Sequence, residues 1–246
     1  MKILLIGNGA WGKNYIKCLN IIPNINLEVA TKENWKSLID NGCDGVIIAT
    51  QPQYHIEIAK YVLDKHIPVM IEKPLALSLS DSLELKKYNT PILVNHIHLF
   101  SNTYQEIKNK VNINNIQSIT SVGQGFNQAR DYNDLWDYGP HDVSMILDLV
   151  NEFPKNIKCT KLKERSYLIN LKFKKFQSNS IIGFNNIKNR YFEVNDGTHY
   201  VYNGSLSNEN ILLNAINVFL NSIKGKYDYR VGLDLTFKVI GLLELC

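Results

Sequence analysis

The sequence predicts an α/β fold: a doubly wound parallel sheet, then an α+β domain with an open, mainly antiparallel sheet. Three observations predict it. Through the first half, short and wholly apolar runs alternate with helical stretches. Strands apolar on both faces belong to parallel sheets covered by helices. The second half groups longer segments with partial period-two alternation, separated by Asn- and Gly-containing turns, as antiparallel strands are. A glycine-rich turn follows the first apolar run directly and opens a helix.

In order, residues 3–6 form a compact strand that stops at Gly7, and residues 10–19 a helix with Tyr15, Cys18 and Leu19 facing inward. Strands follow at 25–30 and 46–50, a helix at 56–65 with apolar residues on one face, a strand at 68–71, a helix at 80–88 and a strand at 92–94. The stretch between the second and third strands is short, which predicts an abbreviated strand–helix unit there. The second half holds strands at 116–126, 166–173, 180–184, 191–195 and 198–202, with helices at 141–150 and 209–223 and a final amphipathic segment at 233–243. The Asn-rich 111–117 stretch marks the boundary, giving domains 1–115 and 116–246, with the C-terminal helix free to pack back on the first.

A chain of 246 residues can bury a substantial core, and its 45% apolar and 20% charged composition excludes a disordered tail, a collagen-like repeat and a disulfide scaffold. Its net charge of +4 is small, and lysines such as Lys172, Lys174 and Lys175 are too scattered for a nucleic-acid surface. Cys18, Cys43, Cys159 and Cys246 lie far apart without metal-ligand spacing, so reduced thiols are expected. The opening apolar run is too short for a signal peptide, and no run approaches the roughly 18–20 residues that span a bilayer. A cytoplasmic chain without membrane or nucleic-acid partners, and without a metal, is the expectation.

Three constellations carry chemistry. The first is Gly7-Asn8-Gly9-Ala10-Trp11-Gly12, a G-x-G-x-x-G after a strand. Gly7 permits the turn, Gly9 admits a pyrophosphate to the backbone, and Gly12 lets helix and strand pack closely, while the helix N-terminus attracts the phosphates. The bland alternative is a glycine-rich turn that binds nothing. An acid for a ribose is expected some 20 residues on. Thr31 and Lys32 stand there instead, which tilts toward a 2′-phosphate, unless Lys32 is merely solvated.

The second is Glu72-Lys73-Pro74 at the carboxyl end of a strand, where a lysine points into the ligand crevice and can help move a proton. Its alternative is a surface lysine before a proline turn. The third is Asp137-Tyr138-Gly139-Pro140-His141-Asp142. Histidine suits acid–base work, and a nearby carboxylate can orient it. Either Pro140 begins the helix, or the helix starts near Asp134 and Asp137 and His141 share a face at i,i+4. A capping Asp and a partly exposed His would have no role. Arg130, before Asp137 and flanked by Gln128 and Asp131, could take a phosphate or carboxylate bidentately, or lie on the surface.

These pieces, in this order, resemble the glucose–fructose oxidoreductase/inositol dehydrogenase (Gfo/Idh/MocA) family over nearly the whole chain, together with Ala49-Thr50-Gln51-Pro52-Gln53-Tyr54-His55. Gly7, Gly9, Trp11, Gly12 and Asn14 match its G-x-G-x-W-G-x-N form, similar to members acting on nucleotide sugars of bacterial surface glycans. The resemblance implies a Rossmann domain, an NAD or NADP cofactor, and hydride transfer at a ring carbinol of a sugar, cyclitol or nucleotide sugar. It implies that Lys73 contacts the reacting oxygen and the cofactor, that His141 is the acid/base and that Asp137 assists. Thr50, Pro52, His55 and Glu72 would line the nicotinamide side. It also implies a homo-oligomer paired through the second sheet.

Departures are visible. The chain is shorter than the usual member. Ser144 stands where many members have an Asp, and Asn95-His96-Ile97-His98 stands where many carry an arginine near the substrate. His96 and His98, with Arg130 and Tyr138, are therefore candidate substrate contacts, and one of the two histidines a candidate second acid/base. Two other functions stay open: a nucleotide-sensing relative without turnover, and a reductase of a bilin or imine.

Overall fold

The computed structural model describes residues 1–126, 129–204 and 208–246. Gln128, named above beside Arg130, lies outside them. The described chain divides into two compact units, residues 1–95 with 210–237 and residues 96–209 with 238–246.

The first unit runs β1 (Lys2–Ile6), α1 (Gly12–Asn20), β2 (Asn26–Ala30), α2 (Trp35–Asp40), β3 (Gly45–Ile48), α3 (His55–Leu63), β4 (Val69–Glu72), α4 (Leu79–Leu83) and β5 (Ile92–Asn95). All five strands are parallel, in the order β2-β1-β3-β4-β5. β3, β4 and β5 are buried at every position, the signature of strands covered on both faces. From β1 the chain goes to β2 on one side and crosses to β3 on the other. The crevice beyond the carboxyl ends of β1 and β3 is therefore the topological switch point, where ligands bind in such sheets. The expected abbreviated unit is α2, six residues long. The expected helix at 80–88 is α4 followed by a 3-10 turn at Glu84–Lys87, started by Ser78 Oγ accepting from Asp81 N at 3.1 Å.

The second unit holds α5 (Asn102–Lys110), β6 (Ser118–Gly125), α6 (Asp134–Val150), β7 (Asn156–Lys163), β8 (Ser166–Lys172), β9 (Gln177–Phe184), β10 (Asn189–Asn195) and β11 (His199–Asn203). The sheet order is β11-β10-β6-β9-β8-β7, antiparallel except for the parallel β6–β9 pair. Burial alternates along β6 and β10, and α6 packs over β6, β8 and β9. Ile119, Ile169, Ile182, Phe192 and Val194 of the strands and Val143 and Ile146 of α6 are almost wholly buried. The final helices are α7 (Ile211–Ile223) and α8 (Asp234–Glu244). α7 belongs to the first unit and packs on α1, while the division falls inside α8.

Three expectations need correction. The first stretch of the first unit runs to Asn95 rather than to residue 115, because α5 is tied to the second unit: the Tyr104 hydroxyl, 2.8 Å from both Met145 O and Asp148 Oδ2, anchors it to α6. Lys108 adds an ion pair to Asp148 at 2.8 Å. The thiols are not all reduced, since Cys159 and Cys246 form a disulfide across 87 residues of sequence, leaving Cys18 and Cys43 as thiols. Linear spacing cannot show a pair that the fold brings together. Finally, α6 begins at Asp134 and runs through Pro140, the second of the two arrangements weighed above, capped by Asn133 Oδ1 accepting from Leu135 N at 2.9 Å.

Candidate functional site

In the first unit the glycine turn sits at the switch point. Gly7 has φ +110°, and a Cβ there would meet Ala49 O at 2.5 Å, so the end of β1 and the end of β3 touch through backbone alone. A Cβ on Gly12 would lie 2.0 Å from Gly7 O. These two glycines serve packing. Gly9 differs: a Cβ there would meet nothing within 4 Å, and Asn8, Gly9 and Ala10 are exposed. No side chain caps the nine-residue helix α1. A helix N-terminus beside an open glycine backbone fits a dinucleotide pyrophosphate.

Glu72, at the end of β4, is 7% exposed, and one carboxylate oxygen accepts three hydrogen bonds. The donors to Oε1 are Trp11 Nε1 at 2.6 Å, the Tyr15 hydroxyl at 2.6 Å and Asn95 Nδ2 at 2.7 Å. Burial pushes the Glu72 carboxyl above its ordinary range, against the pull of these donors and of the Lys73 charge. Burial, then the Glu72 charge, holds the Tyr15 hydroxyl well above its own. Trp11 is thus engaged with Glu72, an attachment its place in the glycine motif did not reveal. Lys73 follows directly, partly exposed, in a unit of chain whose next peptide bond, Lys73–Pro74, is cis.

His55 is wholly buried, with Nδ1 3.0 Å from Pro74 O and Nε2 3.1 Å from Thr50 O. It ties the segment after β3 to the segment after β4, and Pro52 starts a 3-10 turn (Pro52–Tyr54) between them. Burial lowers its pKa to about 4, so the ring is neutral at pH 7. The unfolded chain protonates this ring near 6.5 and the folded chain near 4, so its contribution is intact above pH 6.5 and fades as pH falls. At 1.36 kcal/mol per unit this is roughly 3 kcal/mol. Urea unfolding of wild type and His55→Gln across pH 7 to 4 is expected to show a slope that the variant lacks. Identical slopes would refute the assignment.

Thr31 and Lys32 follow β2 and are exposed. Thr31 N donates to Asn34 Oδ1 at 2.7 Å, which folds the loop into α2. Glu28 pairs with Lys2 at 3.0 Å.

In the second unit, α6 carries Asp137 and His141 one turn apart. Asp137 is 3% exposed and accepts from Arg130 Nε at 3.5 Å. Tyr138 is buried beside Gly125. His98 meets His141 edge to face, ring centroids 4.9 Å apart, and its Nδ1 lies 2.9 Å from the Tyr202 hydroxyl. His96 is 4% exposed. Asp142 does not attend the imidazole that precedes it: Oδ2 accepts from Arg190 at 2.7 Å, both groups buried. Ser144 Oγ donates to His141 O at 3.0 Å.

Of the predicted residues, the structure joins Trp11 with Glu72, Thr50 with His55, Arg130 with Asp137, and His98 with His141. Lys73 belongs to the first unit, Asp137 and His141 to the second. Sequence reasoning missed Tyr15, Asn95 and Tyr202 as polar partners. A buried tyrosine needs an acceptor, and a polar residue closing an apolar strand at its carboxyl end is a signal in itself, so the first two were findable. Among the described residues there is no cluster of three or more His, Cys, Asp or Glu able to hold a metal, and no helix long and apolar enough to cross a membrane.

A five-stranded parallel sheet with an open glycine turn at its switch point is a Rossmann-type fold, and it is followed here by a mainly antiparallel sheet. The profile of the GFO_IDH_MocA oxidoreductase family, with its NAD-binding Rossmann fold, matches residues 24–90. No curated protein sequence matches this chain. Solved structures do. UDP-N-acetylglucosamine 3-dehydrogenase GnnA from Acidithiobacillus ferrooxidans matches with TM-score 0.84 at 14% identity, over 100% of this chain and 96% of that one. Myo-inositol 2-dehydrogenase from Lactobacillus plantarum matches with TM-score 0.83 at 18% identity, over 100% and 96%. Biliverdin reductase from Synechocystis, solved with biliverdin and NADP+, matches with TM-score 0.76 at 19% identity, over 100% and 97%. Likenesses at these identities speak for the fold alone.

Proposed function

We propose that the protein transfers hydride between NAD(P) and a ring carbinol carbon of a sugar, cyclitol or nucleotide sugar. The observation that carries this reading is the acid–base pair on α6, His141 partly exposed with buried Asp137 one turn before it. A relative that only sensed nucleotides would have no chemical need of that pair or of Lys73. A bound nicotinamide supplies the hydride acceptor or donor. Lys73 Nζ donates to the reacting oxygen and steadies the charge that develops there, while His141 accepts the carbinol proton. Asp137 favours the imidazolium that results, and Arg130 Nε lies 3.5 Å from the Asp137 carboxylate. Glu72, fixed by three donors, sets the end of β4 from which Lys73 extends.

Pairing of two copies through the open face of the second sheet belongs to the same reading, since Leu162, Ile181 and Val201 are exposed on its strands. Absorbance at the reduced-nicotinamide band, followed as a panel of nucleotide sugars, free sugars and inositols is added with NAD+ or NADP+, tests the proposal. Reduction with at least one polyol is expected. No reduction with any of them, alongside oxidation of NAD(P)H by bilins or imines, would replace it.

A further inference from the structure

Trp11 carries a side chain that the glycine turn itself does not need. Its backbone follows the turn after β1, and its Nε1 donates to Glu72 Oε1 at the end of β4, 2.6 Å away. β3 lies between those two strands, so the indole links the β1 side of the switch point to the β4 side. The ring is anchored at its one polar atom by a buried acceptor, yet Trp11 remains 42% exposed. With Nε1 spent, the exposed side-chain surface is aromatic carbon. Exposed Asn8, Gly9 and Ala10 adjoin it on one side, and Lys73 follows its anchor on the other.

A dinucleotide whose pyrophosphate rests on such a turn can run two ways. In sheets of this order the adenosine ribose is met at the end of the second strand, so the nicotinamide half runs the other way, toward β4. The oxidised nicotinamide ring is a cation, and the reduced ring is neutral. Of the aromatic side chains, an indole offers the best face to a cation. Donating Nε1–H to a carboxyl oxygen polarises the ring and adds to its attraction for positive charge. The positive charge of Lys73 works in the opposite direction, so an offsetting surface has a task here.

We propose that Trp11, held by Glu72, is a specificity-determining residue whose indole face packs on the nicotinamide and favours the oxidised ring over the reduced one. The proposal rests on the oxidoreductase reading above for the presence of a nicotinamide, and adds to it a selectivity that the turn and Lys73 do not supply. Its consequence is a bound population tilted toward the form that accepts hydride from a substrate.

Trp11→Leu and Trp11→Phe separate the ring from its hydrogen bond: both withdraw the donor from Glu72, and only phenylalanine keeps an aromatic face. Calorimetric titration of each full-length protein with NAD+, NADH, NADP+ and NADPH reads the ratio of reduced to oxidised Kd. That ratio is expected to fall about fivefold in Trp11→Leu, the size of one exposed cation–π contact, and to lie between the two in Trp11→Phe. A ratio unchanged in Trp11→Leu, or equal in the two variants, overturns the proposal and leaves the oxidoreductase reading standing. Wild type saturated with the oxidised nucleotide is also expected to gain a charge-transfer absorbance band at wavelengths beyond those of free indole. Absence of that band overturns the packing of the two rings even if neither variant folds. Failure of wild type to bind any of the four nucleotides overturns this proposal and the oxidoreductase reading together.

Discussion

Lys73→Met is expected to slow turnover by about a thousand-fold, within the range for loss of a proton-handling group, while affinity for NAD(P) changes less than about threefold. His141→Ala is expected to cost about a hundred-fold. The asymmetry follows from where each group acts. Lys73 stands at the carboxyl end of β4, the end at which such sheets receive ligands, and in the proposed mechanism its ammonium interacts most strongly with charge on the reacting oxygen in the transition state. In the same mechanism His141 handles the proton, a task water can partly assume. Methionine keeps the length and apolar stem of lysine, so the strand end and its Glu72 contacts have no reason to move. Initial rates with the identified polyol, and calorimetric titration with NAD(P), separate the two effects. Wild-type turnover in the Lys73→Met protein would remove the lysine from the mechanism.

Gly9→Val is expected to fold with a Tm close to that of wild type and to bind NAD(P) at least about a hundred-fold more weakly. The open space around Gly9 makes this a test of the ligand rather than of the protein. A Cβ there touches no atom of the chain within 4 Å, so the isopropyl group occupies only the volume a pyrophosphate needs. Gly12→Ala is the control with the opposite outcome. Its Cβ would overlap Gly7 O at 2.0 Å, so the turn and the packing of α1 must shift, and stability falls together with binding. Retained affinity in Gly9→Val would mean that the nucleotide phosphates lie elsewhere.

Much of the architecture was legible because its strands are extreme. β3, β4 and β5 are buried throughout and apolar up to the polar residues that close β4 and β5, and a glycine turn after β1 has few other uses. β7 was not legible: Asn-Ile-Lys-Cys-Thr-Lys-Leu-Lys is polar and largely exposed, as edge strands tend to be, and it lacks the alternation that betrays a half-buried strand. α5 was missed because only Tyr104 and Ile107 are buried among nine polar-rich residues. The helix through Pro140 could be stated only as one of two options, since proline marks a first turn more often than an interior.

At the site, residues whose role is local in sequence were readable, and partnerships across the fold were not. Asp142 adjoins His141 in sequence, yet successive residues on a helix point some 100° apart, and its carboxylate turns instead to Arg190. Tyr202 sits in an ordinary strand pattern, with nothing to mark it as the partner of His98.

The buried acid at the end of β4 makes Trp11 something other than an ornament of the glycine turn. An indole from the opening of α1, a phenol one turn later and an amide from β5 all converge on one oxygen of Glu72. Exchanging any one of them alone takes a donor from a buried carboxyl, so drift at these four positions is constrained to move in concert. Homologues that lose the tryptophan should carry matched replacements at the tyrosine, the acid or the asparagine. The nucleotide loop and the lysine-bearing strand then evolve as one inherited block rather than as two independent motifs.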